Sequence, residues 1–210
     1  MAPSPSAPSN AEAALAALAE DAAGCTACPL YENATRTVFG EGPAAAQIML
    51  VGEQPGDQED LGGEPFIGPA GQVLDTCLDE AGLDRSTVYV TNAVKHFKFK
   101  PRGRRRIHEK PRVGEIDICA NRWLSREREV VAPDLVIALG ASAVRGITGK
   151  SGTIKSLRSE IRPLTAASHL LVTIHPSYLL RIPDEDAKKA ETEQFVADLR
   201  LGAEFVASLD

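Results

Sequence analysis

The sequence predicts an α/β protein: a three-layer α/β/α sandwich around a central four-stranded parallel sheet. Two observations carry this reading. Four short apolar runs, at 47–51, 88–94, 135–139 and 170–174, are nearly continuous rather than alternating, as strands covered on both faces are. Stretches with helical spacing separate them, and strand–helix alternation marks a parallel sheet. Size supports the same picture. With 210 residues, 43% hydrophobic and 25% charged, the chain can bury a sizeable core in one domain. Residues 11–210 are read as that domain, and residues 1–10, MAPSPSAPSN, as a disordered tail of low complexity.

The elements follow in order. Asn10 is placed to cap a helix running to about Ala23, which Gly24 ends. Residues 25–45 read as irregular chain. Beyond the first strand, a loop rich in Gly, Pro and acid lasts from Gly52 to Gly68. Residues 69–82 place Val73, Leu74, Cys77 and Leu78 at helical spacing. A basic segment follows the second strand, then a helix at 113–131. Pro133 leads into the third strand, which stops at Gly140 before a short helix at 141–148. The last helix spans 185–207. In such sheets ligands bind beyond the carboxyl ends of the strands. Those ends read Gly52-Glu-Gln-Pro-Gly56, Thr91-Asn-Ala-Val-Lys95, Gly140-Ala-Ser142 and His175-Pro-Ser177.

Composition excludes several classes. Four cysteines are too few for a disulfide-stapled miniprotein. No apolar run approaches the roughly 20 residues of a membrane span. The N-terminus has no basic stretch, and the Ala-rich segment after it carries Glu12, Glu20 and Asp21, unlike a signal peptide. A cytoplasmic location, close to the nucleoid, is therefore expected. There thiols stay reduced, and clustered cysteines point to metal.

The net charge of −6 conceals an uneven distribution. Between Lys95 and Arg112 stand nine basic residues and one acid, Glu109, so the segment is +8 and the remainder −14. An acidic body with one basic segment directs a polyanion to one place. The same segment also reads as a solvated loop, since short basic runs are common. Cys25-Thr-Ala-Cys28 is a C-x2-C pair and Cys119 lies on a later helix, whereas Cys77 sits on an apolar stripe and belongs to the core. A C-x2-C pair alone is a weak signal. A zinc deaminase is disfavoured, because no His-x-Glu precedes the pair.

The glycine-dense stretch from Gly52 to Gly71 contains Phe66 between Pro65 and Ile67. Together with Asn92 at the second strand end and His175-Pro-Ser177 at the fourth, it resembles the motifs of family 4 uracil-DNA glycosylases. The resemblance spans Cys25 to Arg181. It implies a uracil-DNA glycosylase-like fold and an enzyme of DNA repair that flips uracil from DNA and breaks its C1′–N1 bond. In that reading Phe66 stacks on the base and Asn92 reads its N3–H and O4. Gly52, Gln54 and Asp57 complete the pocket. His175 and backbone N–H groups near Gln54 hold the charge developing on O2. Lys95, Arg104, Arg105, Arg106, Ser177 and Arg181 contact DNA, with single strands favoured, and the protein is expected to act as a monomer. The family also carries a [4Fe–4S] cluster, here implied on Cys25, Cys28, His96 and Cys119. By chemistry alone such a Cys3His set suits zinc equally well.

Three features depart from ordinary family 4 members. Gln54 replaces Ala or Gly, His96 replaces a cysteine, and the connection between the third and fourth ligands is longer and includes Arg104-Arg-Arg-Ile-His108. All three resemble the UdgX branch, which implies covalent capture. There a neutral His108 attacks C1′, while Glu53 orients its ring, accepts its proton and stabilises the sugar cation. Two other readings stand beside this one. In a conventional hydrolytic family 4 enzyme, His108 would only contact phosphate. A non-catalytic iron–sulfur DNA-binding protein would leave Glu53, Gln54, Asn92 and His175 without a role.

Overall fold

The computed structural model describes residues 9–209. The expected tail lies outside the described residues for positions 1–8, but residues 9 and 10 belong to the first helix and its cap. Helix α1 (Asn10–Ala23) is capped by Ser9 rather than Asn10. Ser9 accepts the Glu12 N–H while Glu12 accepts the Ser9 N–H, a reciprocal capping box. A 3₁₀ turn (Pro29–Glu32) leads to β1 (Ile48–Gly52). The loop expected after it contains a short helix, α2 (Asp57–Gly62), before α3 (Pro69–Ala81).

Strand β2 (Tyr89–Asn92) is followed by a hairpin in place of the expected loop. Its strands β3 (Phe99–Arg102) and β4 (Arg105–His108) pair antiparallel, with Phe99 opposite His108. Polar, basic strands of four residues give no apolar alternation, so the hairpin was invisible as a pattern. The helix expected at 113–131 is α4 (Val113–Cys119), a π-helical turn (Ala120–Leu124) and α5 (Ser125–Val131). Strand β5 (Leu135–Leu139) and α6 (Ala141–Thr148) match expectation. Then come α7 (Ile154–Leu157), β6 (Arg162–Pro163), β7 (His169–Thr173), a 3₁₀ turn (Pro176–Arg181) and α8 (Glu185–Ala207).

The central sheet has five strands in the order β2-β1-β5-β7-β6. Four are parallel, as expected. The fifth, β6, is a two-residue antiparallel edge, too short and too proline-bound to read in advance. The strands alternate sides. Met49, Val51, Val136 and Ala138 pack with α1 and the α4–α6 region, whereas Ile48, Leu50, Leu135 and Ile137 pack with α3 and α8. Helices therefore cover both faces and give three layers.

Register places the chemistry. Gly52 pairs with Asn92, and Leu139 with Thr173, so all four parallel strands end along one edge. Bonding continues past the strands, with Ala93 N–H on the Gly52 carbonyl and Val94 N–H on that of Glu53. Beneath this edge lies a fully buried ion pair. The Lys95 ammonium sits 2.5 Å from Glu127 and also donates to Thr91 Oγ1 and the Asn92 carbonyl. Glu127 further accepts from Tyr89 Oη, Thr91 Oγ1 and Gly40 N–H. This corrects one expectation. With its side chain fully enclosed, Lys95 cannot reach a phosphate.

Truncating one partner of this pair strands a buried charge, which costs about 3–5 kcal/mol. Lys95→Ala should show that loss in urea unfolding. Lys95→Met combined with Glu127→Leu should recover only part of it, because the charge is gone while Tyr89 Oη, Thr91 Oγ1, the Gly40 N–H and the Asn92 carbonyl lose their partners. Equal losses in the single and double variants would contradict an uncompensated charge as the cause.

Candidate active site

The strand ends open into a cleft of about 790 Å³, within the usual range for small-molecule sites. Nine of the residues singled out from sequence line it: Glu53, Gln54, Asp57, Phe66, Asn92, His108, His175, Ser177 and Arg181. They come from four separate places in the chain. Gly52 lies just behind, where only a glycine fits. A Cβ there would collide with Asn92 Oδ1 and the Phe66 ring. Phe66 is buried, holds a left-handed φ of +58° and stacks on His175, with ring centres 5.8 Å apart and planes at 28°. Such backbone strain in a non-glycine residue persists where surroundings enforce it. Here Glu59 supplies part of that enforcement. Its carboxylate accepts Gly56 N–H at 3.0 Å and Gly68 N–H at 2.9 Å, closing the loop that carries Phe66. Asn92 is buried and its Oδ1 has no partner. An unsatisfied buried carbonyl at a cleft wall asks for a donor from a ligand.

Three ionisable groups meet here in different states. His175 Nδ1 accepts the Ser177 backbone N–H at 3.2 Å, and a backbone N–H can only donate. The neutral ring therefore carries its proton on Nε2, and Ser177 Oγ stands 2.9 Å from Nδ1. Burial drives the His175 pKa down to about 4; the Glu53 charge opposes this, and His108 and Arg181 add to it. His175 is thus a neutral donor at pH 7. For Glu53, burial alone would raise the pKa. Hydrogen bonds from His108 and Ser142 outweigh burial and hold it below the usual carboxylate range. Glu53 Oε1 lies 3.4 Å from His108 Nε2. A carboxylate, a neutral donor and a half-exposed imidazole therefore surround one space.

The hairpin brings His108 to that space, and the expected roles of three residues change accordingly. The Gln54 side chain does not face a ligand. Its Nε2 donates to the Lys98 and Glu109 carbonyls at 3.1 and 3.2 Å, and its Oε1 accepts Lys98 N–H at 3.1 Å, so one amide grips both feet of the hairpin. Only the backbone of Gln54 remains for a base. Arg106 turns inward. It pairs with Asp57 and Asp60, each at 2.5 Å, and lies over the Phe97 and Phe99 rings. The Asp57 carboxylate is thereby committed to Arg106, although the residue lines the cleft. Arg104 and Arg105 remain exposed. Arg181 donates to Ser177 Oγ at 3.1 Å and is exposed at the cleft. Sequence reasoning passed over Ser142 and Glu59. Ser142 stood in a strand end already noted, but nothing in its spacing singled it out.

Four further buried donors are Cys25, Cys28, His96, which follows Lys95 in the chain, and Cys119, whose Sγ accepts the Lys95 backbone N–H. The three thiols influence one another electrostatically, and burial pushes Cys28 up and Cys119 up to about 12. Trp123 Nε1–H donates to Cys25 Sγ at 3.1 Å, and Lys95 N–H to Cys119 Sγ at 3.2 Å. Among the described residues no group of three or more His, Cys, Asp or Glu converges on a single ion. The fit to a metal group rests instead on the donor chemistry. Thr37 Oγ1 gives its proton to the Ala22 carbonyl at 2.9 Å, so at 3.1 Å from His96 Nε2 it accepts. That places the His96 proton on Nε2 and leaves Nδ1, buried and without a partner, as a bare lone pair. An imidazole fixed in one tautomer by its other nitrogen is what a metal ligand requires.

Comparison with known proteins identifies the family. The chain matches the model of the uracil DNA glycosylase superfamily over residues 39–200. It is 37% identical over 170 residues to the type-4 uracil-DNA glycosylase of Thermotoga maritima, covering 80% of this chain and 84% of that one. It is 33% identical over 184 residues to that of Sulfurisphaera tokodaii, with 81% and 80% covered. Identity to that of Pyrobaculum aerophilum is 34% over 166 residues, with 76% and 81% covered.

The inward pairing of Arg106 makes a prediction about the hairpin. Charge-assisted bonds are worth about 1.5–3 kcal/mol, so Arg106→Ala should speed amide exchange across 99–108 by roughly 10- to 100-fold. Arg104→Ala, on the exposed face, should leave exchange as it was. Equal effects from the two variants would mean the hairpin is not tied through Arg106.

Proposed function

The chain belongs to the uracil DNA glycosylase superfamily, and we propose that it excises uracil from DNA and then captures the resulting sugar covalently through His108. Excision uses the cleft groups as follows. Uracil enters flipped from the duplex or from a single strand. Phe66 stacks on it, and the unpartnered Asn92 Oδ1 accepts its N3–H. As the C1′–N1 bond breaks, its electron pair moves onto the uracil ring. The neutral His175 Nε2–H donates to O2 as charge grows there. Glu53, held ionised, faces the cationic sugar. Exposed Arg104, Arg105 and Arg181 contact phosphates, with Ser177 beside Arg181; phosphate contacts fix orientation rather than sequence.

Capture follows if the imidazole reaches C1′ before water does. A ring lone pair forms the new C1′–N bond, and the proton left on the imidazolium passes to Glu53. The uracil anion takes a proton from solvent, so the step balances without a co-reactant. The observation that carries this reading is the 3.4 Å approach of His108 Nε2 to Glu53 Oε1, on a hairpin clamped to the same loop. The competing reading, a hydrolytic enzyme, draws its support from the type-4 relatives.

Cys25, Cys28, His96 and Cys119 would hold a [4Fe–4S] cluster. When bound, it supplies one-electron redox capacity and ties the N-terminal segment to α4 and the end of β2. The chain's own contribution is to exclude water from the donors and to hold the His96 tautomer. Anaerobically purified protein should be yellow-brown with about four irons per chain, and Cys119→Ala should lose both the iron and folding yield. Zinc without iron would remove the cluster and leave the glycosylase reading intact.

A denaturing gel with a uracil-containing single-stranded oligonucleotide tests capture. The wild-type protein should give a shifted band that survives denaturation. His108→Ser should lose the shift and release uracil to leave a free abasic site, within about tenfold of the wild-type excision rate, because the excision groups remain. Mass spectrometry should place the adduct on the peptide containing His108. An adduct elsewhere, or an undiminished one in His108→Ser, would sink the assignment.

A further inference from the structure

We propose that Ser142 is a positioning residue for Glu53, fixing the rotation of its carboxylate so that one oxygen faces His108 and the reacting sugar. The inference rests on the glycosylase reading, but not on covalent capture. Ser142 is 4% exposed and is the second residue of α6, in the third of the four strand ends. That strand end is the one to which the glycosylase chemistry gives no other role.

The bonding is specific. Ser142 Oγ–H donates to Glu53 Oε2, while Oε1 lies 3.4 Å from His108 Nε2. The two carboxylate oxygens therefore have separate partners from separate elements, one from α6 and one from the hairpin. A serine at the N-cap position turns its hydroxyl back onto the helix's own free N–H groups. Here the cap position is Gly140, no side chain caps α6, and the Ser142 hydroxyl is directed at Glu53 instead. The start of α6 also brings a partial positive charge to that side of the carboxylate.

The arrangement solves a problem of the site. Glu53 must remain ionised in a largely enclosed place beside two imidazoles. Burial alone disfavours the charge. The groups facing Glu53 are Ser142 from α6, His108 from the hairpin and His175 from the end of β7, with Arg181 beyond His175. His175 is neutral, and the His108 side chain on the hairpin is half exposed. Among the described residues, Ser142 is the one donor to Glu53 that is both buried and mounted on a helix. Removing it leaves the carboxylate free to rotate and less favoured as an anion, so its pKa moves upward.

Excision needs ionised Glu53 and is lost as pH falls through its folded pKa. Losing a donor to the anion raises that pKa and shifts the acid limb to higher pH. The test is single-turnover cleavage of a uracil-containing single-stranded oligonucleotide across acid to neutral pH. Adduct and free abasic product are summed, so the readout is glycosidic cleavage whichever follows. Ser142→Ala should slow cleavage by roughly 10- to 100-fold at pH 7, the worth of a hydrogen bond to a charged group. Its acid limb should move to higher pH, with DNA binding little changed. Ser142→Thr, which keeps the hydroxyl, should restore both rate and limb. Circular dichroism and thermal unfolding of each variant report folding independently. A Ser142→Ala protein with wild-type rate and limb overturns the proposal. So does a slower protein whose acid limb has not moved and which Ser142→Thr does not rescue, since that marks packing alone. Absence of cleavage by the wild-type protein would instead refute the glycosylase reading.

Discussion

One buried ion pair underlies the arrangement of this protein. Lys95 and Glu127 meet with no solvent access, and Lys95 bonds both to the Asn92 carbonyl, at the cleft wall, and to Cys119 Sγ. The ammonium holds the Asn92 carbonyl and Thr91 Oγ1, which fixes the end of β2 where Asn92 enters the cleft. The backbone N–H of the same residue bonds Cys119 Sγ, and the next residue is His96. A hydrophobic pair could fill the same volume at less desolvation cost. It could not satisfy the Asn92 carbonyl, nor the three other donors that converge on Glu127. The ion pair therefore specifies one conformation of the strand end rather than adding bulk stability.

The second organising feature is a cationic hairpin folded back onto an acidic loop. Arg106 is shared between Asp57 and the fully enclosed Asp60 side chain, and Asp60 also accepts Thr35 N–H. The Gln54 amide closes the base of the hairpin. These contacts divide the basic segment into two populations. Arg106 and Lys95 are internal and structural, whereas Arg104 and Arg105 face outward. A charge count over the whole segment overstates the cations available to a polyanion, because the count does not distinguish paired from free groups.

Within the cleft, similar groups take opposite states through their surroundings. His175 is kept neutral by burial and by a backbone N–H that fixes its tautomer. Glu53 is equally enclosed in kind, yet hydrogen bonds to both oxygens keep it ionised. Pushing a carboxyl and an imidazole in these directions separates an anionic group for the sugar from a neutral donor for the base. Such perturbed groups collected at one cleft are characteristic of sites that do chemistry.

Much of this was legible in the chain itself. Strands β1, β2, β5 and β7 are buried on both faces, so their sequences are continuous apolar runs, and their polar successors marked the site edge. Phe66, Asn92, His175 and the two cysteines Cys25 and Cys28 stood in local motifs, which survive in one dimension. What only the tertiary structure decided depends on partners distant in sequence. The inward turn of Arg106 depends on Asp57 and Asp60, 49 and 46 residues away. The burial of Lys95 depends on Glu127, and the grip of Gln54 on Lys98 and Glu109. The role of Ser142 depends on Glu53, 89 residues earlier. Local patterning determines which residues lie in a strand or at its end, because the backbone period acts over a few residues. Whether a charged or polar side chain meets water, a ligand or another side chain is set by packing between elements, and no periodicity records that.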